Sequence, residues 1–172
     1  MNRRGEGSRG FYPAKLRNSP YGTSRRFGLS FSADEGRREG RALTKDIRLF
    51  IVDDDTGFRE TLRQLLTQRK EAIILGEAGD GEEALRLART LRPDVVLMDL
   101  AMPRMNGLEA TRRFKARWSD VAVIILTVHD DEAYRRTALA AGAEAFLVKK
   151  TLGVDLWPTL ERIYRRGQQP SI

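Results

Sequence analysis

The stretch Pro93-Asp94-Val95-Val96-Leu97-Met98-Asp99-Leu100-Ala101-Met102-Pro103 decides the architecture. A short apolar run ends in a carboxylate and a proline turn follows at once. That is how a buried parallel strand delivers one acid to the carboxyl edge of a sheet. Upstream, Leu49-Phe50-Ile51-Val52 ends the same way, in Asp53-Asp54-Asp55. Downstream, the apolar run 121–126 ends in Thr127, and Ala145-Phe146-Leu147-Val148 ends in Lys149. Four strand ends thus offer carboxylates, a hydroxyl and an ammonium, a set that suits a dication and a phosphoryl group.

Helical periods fill the intervals. Phe58, Leu62, Leu65 and Leu66 recur at helix spacing, with Asp55 or Thr56 placed to cap. Ala84, Leu85, Ala88 and Leu91 mark a second helix, and residues 108–118 and 132–141 a third and fourth. A last helix is expected over 156–165, with Pro158 in its first turn, where a missing N–H costs little. Strands are expected over 47–52, 72–78, 95–98, 121–126 and 145–148. Five strands alternating with five helices predict an α/β fold: one doubly wound, five-stranded parallel sheet covered on both faces. Ligands of such sheets bind outside the carboxyl ends of the strands, at the switch point of strand order. Every polar group named above lies on that edge.

Charge divides the chain in two. Residues 1–46 hold 11 Lys+Arg against 5 Asp+Glu, while the other 126 residues hold 20 against 19, so +6 of the net +7 belongs to the first segment. That segment also carries 7 of the 15 glycines and no sustained apolar period, so it reads as a disordered basic extension. A globular domain over 47–167 and a tail over 168–172 complete the expected organisation. The near-neutral globular part gives no reason to expect specific nucleic-acid binding. The longest apolar run has six residues, too few to span a bilayer. Without cysteine, disulfides and thiolate chemistry are excluded, and the single His129 excludes a multi-histidine zinc site. A cytoplasmic setting is the expectation.

The acids define the chemistry. Two carboxylates such as Asp54 and Asp99, about 4 Å apart on adjacent strand ends, would repel by about 4 kcal/mol at an effective dielectric near 20. A hard dication relieves that repulsion, and Mg2+ takes a few carboxylate oxygens while keeping positions for phosphate oxygens. A carboxylate there can attack phosphorus once the incoming charge is neutralised. Lys149 supplies positive charge and Thr127 a hydrogen bond. Asp55 reads as a cap or loop acid, Lys150 as a solvated lysine and His129 as a loop residue near the site mouth.

Val52-Asp53-Asp54-Asp55, Met98-Asp99-Leu100-Ala101-Met102-Pro103-Arg104-Met105-Asn106-Gly107, Leu126-Thr127 and Phe146-Leu147-Val148-Lys149 together resemble a two-component response-regulator receiver domain. The resemblance runs from Ile47 to about Gly167. It implies a flavodoxin-like sheet of order 2-1-3-4-5 and a signalling module rather than a metabolic enzyme. Asp99 would accept a phosphoryl group from a histidine kinase or phosphotransfer protein. Asp53, Asp54 and Asp99, with the Ala101 carbonyl, would hold Mg2+. Lys149 would bind the phosphoryl group, and Thr127 and Phe146 would form the switch, although Phe146 reads equally well as core. The output would be a protein-interaction face, for a phosphorylation-dependent homodimer or a downstream protein, with no membrane involved.

Val128-His129-Asp130-Asp131-Glu132, the run 140–146 and the Lys149-Lys150 pair resemble the NarL/FixJ type, which usually continues into a helix-turn-helix domain. A truncated NarL-type transcription regulator is therefore the alternative. A pseudo-receiver that works without phosphorylation is weaker, since no essential group is missing. A haloacid-dehalogenase-like phosphatase is weaker still. Its Asp-x-Asp-x-Thr/Val motif meets Gly57 at the last position, and it leaves Asp99 unexplained. In the family it resembles, the positions of Ala101 and His129 tune the acyl-phosphate lifetime, and the Ala101 methyl cannot orient an attacking water, so the resemblance carries no lifetime over.

Overall fold

A computed structural model describes residues 46–167. The expected basic extension, apart from Asp46, and the expected tail over 168–172 lie outside the described residues. The elements are β1 (Ile47–Val52), α1 (Thr56–Leu66), β2 (Ala72–Ala78), α2 (Gly81–Leu91), β3 (Val95–Asp99), α3 (Gly107–Arg117), β4 (Ala122–Thr127), α4 (Glu132–Ala140), β5 (Ala145–Val148) and α5 (Leu152–Gly167). All strand pairs are parallel and the order is β2-β1-β3-β4-β5, as expected. The chain winds outward from β1 in both directions, so the connections leaving β1 and β3 diverge and open a crevice at their carboxyl ends.

Strand side chains alternate between two faces. Phe50, Val52, Val96, Met98, Val123, Ile125 and Phe146 pack with Ala84, Ala88, Ala110 and Phe114 of α2 and α3. Ile47, Leu49, Ile51, Val95, Leu97, Ile124 and Leu126 pack with Leu62, Leu66, Leu156 and Leu160 of α1 and α5. Both faces are therefore dry, and β3 and β4 are buried along their whole length. At the opposite edge from the candidate site, the Arg48 guanidinium and backbone N–H both donate to Asp94 and fix β1 against the start of β3.

One expectation is corrected. The last helix begins at Leu152, not Leu156, so Pro158 lies in its interior. Leu152, Leu156, Leu160 and Tyr164 recur every four residues and all enter the core, and burying that stripe starts the helix a turn early. Proline removes the bond that the Val154 carbonyl would accept. Val154 is 77% exposed, so water is at hand for that carbonyl.

Close packing at Gly107 sets the turn that follows Asp99. Its N–H donates to the Leu100 carbonyl at 3.0 Å, and a Cβ here would run into the backbone carbonyl of Asp99. Gly107→Ala is expected to destabilise the protein by about 1–3 kcal/mol, the usual cost of overpacking, and thermal melting will measure it. A variant that melts with wild type would show that the turn relaxes freely.

Candidate functional site

Three strand ends converge on one ammonium. Lys149 Nζ lies 2.6 Å from Asp53 Oδ2 and 2.6 Å from Asp99 Oδ1. The other carboxylate oxygens are also engaged. Asp53 Oδ1 accepts from the Asp55 N–H at 2.9 Å, and Asp99 Oδ2 from the Ala101 N–H at 2.8 Å. Both acids are buried, whereas Asp54 is exposed at the mouth. Carboxylate oxygens of Asp53, Asp54 and Asp99 nevertheless lie within 4.8 Å of one another. The ring centroid of Phe58 is 4.1 Å from Lys149 Nζ and covers the cation.

The electrostatics follow from this crowding. Burial pushes the Asp99 carboxyl above its ordinary 3.8; the hydrogen bond from Lys149 opposes that, and the charge of Asp53 adds to it. For Lys149 burial is the largest influence and acts downward, but the hydrogen bonds to Asp53 and Asp99 outweigh it and hold the ammonium above its ordinary 10.5. The like-charge conflict thus falls between Asp53 and Asp99, where the sequence reading placed it between Asp54 and Asp99. Asp54 faces solvent, so its repulsion is screened.

The surrounding turns are built to hold these groups. Asp55 caps α1, its Oδ1 accepting from the N–H groups of Gly57 and Phe58. Arg59 donates to the Asp53 carbonyl at 2.6 Å and pairs with Glu77 of β2. Asp80 caps α2 and forms an ion pair with Arg104, which lies in the left-handed region at φ 63° in the turn after Asp99. The Arg104 hydrogen bond, helped by the Glu83 N–H, holds the Asp80 carboxyl below its ordinary range. Sequence reasoning missed Arg59, Asp80 and Arg104 as supports. Their partners lie across turns or on other elements, so no local signal marked them.

Thr127 is buried at the end of β4, and its Oγ1 accepts from the His129 N–H at 3.1 Å. Phe146 is only 4% exposed and lies inside the core, with the Arg135 guanidinium over its ring. Ala101 reaches the site through its N–H, and Lys150 is exposed, as expected.

Residues 49–160 match the response regulator receiver domain family. The chain belongs to that family. Transcriptional regulatory protein DegU of Brevibacillus brevis is 41% identical over 104 residues, which are 60% of this chain and 44% of that protein. A LuxR-family two-component response regulator from Aurantimonas sp. SI85-9A1 superposes with a TM-score of 0.68 at 34% identity, over 71% of this chain and 87% of that one. The signal receiver domain of NarL from Mycobacterium tuberculosis superposes with a TM-score of 0.64 at 28% identity, over 72% of this chain and 98% of that one. The chain spans about half the length of the curated relatives it matches. Its described part is thus the receiver domain of a two-component response regulator, with an acidic pocket fit for a cation. Among the described residues no helix is long and apolar enough to cross a membrane.

The sign of the Asp99 shift gives a pH test. A carboxyl raised on folding favours the native state while protonated, and that contribution is lost as pH rises through the folded value. Asp99→Asn removes the penalty, so the variant is expected to melt above wild type at neutral pH. The gap should close as pH falls toward 3.8. Melting curves across the acid range check this; a gap that widens in acid would contradict the burial argument.

Proposed function

We propose that this receiver accepts a phosphoryl group on Asp99 from a phosphohistidine of a histidine kinase or phosphotransfer protein. The convergence of Asp53, Asp99 and Lys149 at the carboxyl edge carries the reading. An Asp99 oxygen attacks phosphorus, the phosphorus–nitrogen bond breaks, and the imidazole nitrogen leaves with the electron pair. Asp99 must be ionised to attack, and Lys149 keeps the anion tolerable despite its burial. Once the phosphoryl group is on Asp99, the same ammonium serves its oxygens. The Thr127 hydroxyl already accepts from His129 and keeps its own hydrogen to donate.

The donor set fits a hard cation, because it is all oxygen and one acid stands exposed at the mouth. Asp53, Asp54 and Asp99, with the Ala101 carbonyl, would hold Mg2+, which when bound neutralises charge on the phosphoryl oxygens. Output leaves through the face of α4, β5 and α5, toward a second copy or a downstream protein. Tyr134 and Leu139 of α4 are 47% and 49% exposed, which supports that face. The protein works in the cytoplasm, where kinases of this class deliver phosphoryl groups.

Incubation with Mg2+ and acetyl phosphate is expected to add one phosphoryl group to wild type and none to Asp99→Asn, read by intact mass. Equal labelling of the two would overturn the assignment. Asp54→Ala is expected to keep its fold, since the side chain is exposed, yet to lose metal-dependent labelling. Circular dichroism and mass spectrometry on one sample separate those outcomes, and full labelling of that variant would remove Asp54 from the cation site.

A further inference from the structure

Arg135, in the first half of α4, has contacts on both sides of the switch region. Its guanidinium carbon lies 4.9 Å from the centroid of the Phe146 ring, and its Nη1 donates to the Phe146 carbonyl at 3.1 Å. It also pairs at 3.5 Å with Asp130, in the loop after Thr127, and at 3.5 Å with Glu132 at the start of α4. The same loop carries the His129 N–H that donates to the Thr127 hydroxyl. One side chain therefore ties the loop beside Thr127 to the backbone and ring of β5.

We infer that Arg135 is a positioning residue for phosphoryl acceptance: it holds Phe146 inward and the 128–131 loop against β5 before any phosphoryl group arrives. The inference rests on the phosphoacceptor reading of Asp99. A switch built on Thr127 and Phe146 would need the ring inside when Thr127 serves a phosphoryl group. Here the ring is already inside, under Arg135, and the contacts of Lys149 with Asp99 are already made. A ligand that selects this arrangement binds more weakly when the arrangement is only fractionally populated. Taking away Arg135 loosens the loop and the ring together, so it should weaken acceptance without touching the cation pocket.

The test uses the full chain with Mg2+ and beryllofluoride as the phosphoryl mimic. Arg135→Ala is expected to weaken the apparent affinity for beryllofluoride by about three- to tenfold, within the usual range of coupling between linked sites. Mg2+ affinity should stay unchanged. Arg136→Ala, which removes an exposed neighbouring charge, should leave both unchanged. Arg135→Lys keeps the cation over the ring but loses the forked contacts, and should fall between wild type and Arg135→Ala. The ring signals of Phe146 in NMR spectra should shift little when wild type binds the mimic and clearly more in Arg135→Ala. A lower melting temperature with unchanged beryllofluoride affinity would reduce Arg135 to a purely structural role and overturn the inference. Equal weakening in Arg135→Ala and Arg136→Ala would overturn it as well, as a plain charge effect. If wild type itself fails to bind the mimic, the phosphoacceptor reading falls, and this inference with it.

Discussion

The bridge from Lys149 to Asp53 and Asp99 is the constraint around which the rest of the carboxyl edge is arranged. The two acids end neighbouring strands, β1 and β3, while the lysine follows β5, with β4 lying between β5 and β3. Only a long, flexible stem can carry a charge across that gap and still let the head group serve two carboxylates. Buried ion pairs seldom add net stability, because desolvation consumes what attraction supplies. The arrangement is therefore better understood as a chemical tool held in readiness. It keeps two carboxylates close together and aimed at one place.

The division of labour among the acids follows from their donors. Asp53 and Asp99 each have one oxygen on a backbone N–H and one on Lys149, so their orientations are fixed. Asp54 is exposed and contributes charge at the mouth, where a cation would enter. The flanking turns secure this geometry. Arg59 holds the Asp53 carbonyl, and Arg104 ties the turn after Asp99 to Asp80. That second tie offsets a left-handed backbone at Arg104, which costs about 1–2 kcal/mol for a non-glycine residue.

What could be read from the sequence, and what could not, sorts by the range of the interaction. Apolar runs closed by Asp53, Asp99, Thr127 and Lys149 are local signals, and together they sufficed for a parallel sheet and for the edge on which the polar groups gather, while the strand order came only from the family resemblance. Asp55 as a cap of α1 was equally local. Arg59, Arg104 and Arg135 were not legible, because their partners lie across turns or on other elements and nothing in a run of arginines marks the one that will fold over a ring. The start of α5 was misjudged because a rule about proline was applied alone. The stripe from Leu152 to Tyr164 outweighs the one bond that Pro158 removes. The sequence reading set Asp54 beside Asp99, whereas Asp53 is the acid that turns inward. Asp53 continues the alternation of β1 into the site, and the residue after it turns out to solvent.

Any signal raised at the proposed phosphoacceptor must leave through parts that can move, and packing says which those are. β3 and β4 are buried from end to end, so shifting them would open voids on two faces at once. α2 anchors itself with Gly81, Ala84, Leu85 and Ala88, whereas α4 buries only Ala138. A nine-residue helix held by one small apolar side chain has little hydrophobic area to keep it in place, and local stability tracks such burial. What remains to hold α4 is polar: the cap from Asp131, and Arg135 with its contacts to Phe146, Asp130 and Glu132. Polar contacts at a half-exposed position can be traded for others at small cost, unlike a packed core. The sheet is thus a rigid floor beneath the acidic pocket, and α4 is the element that few kilocalories can displace.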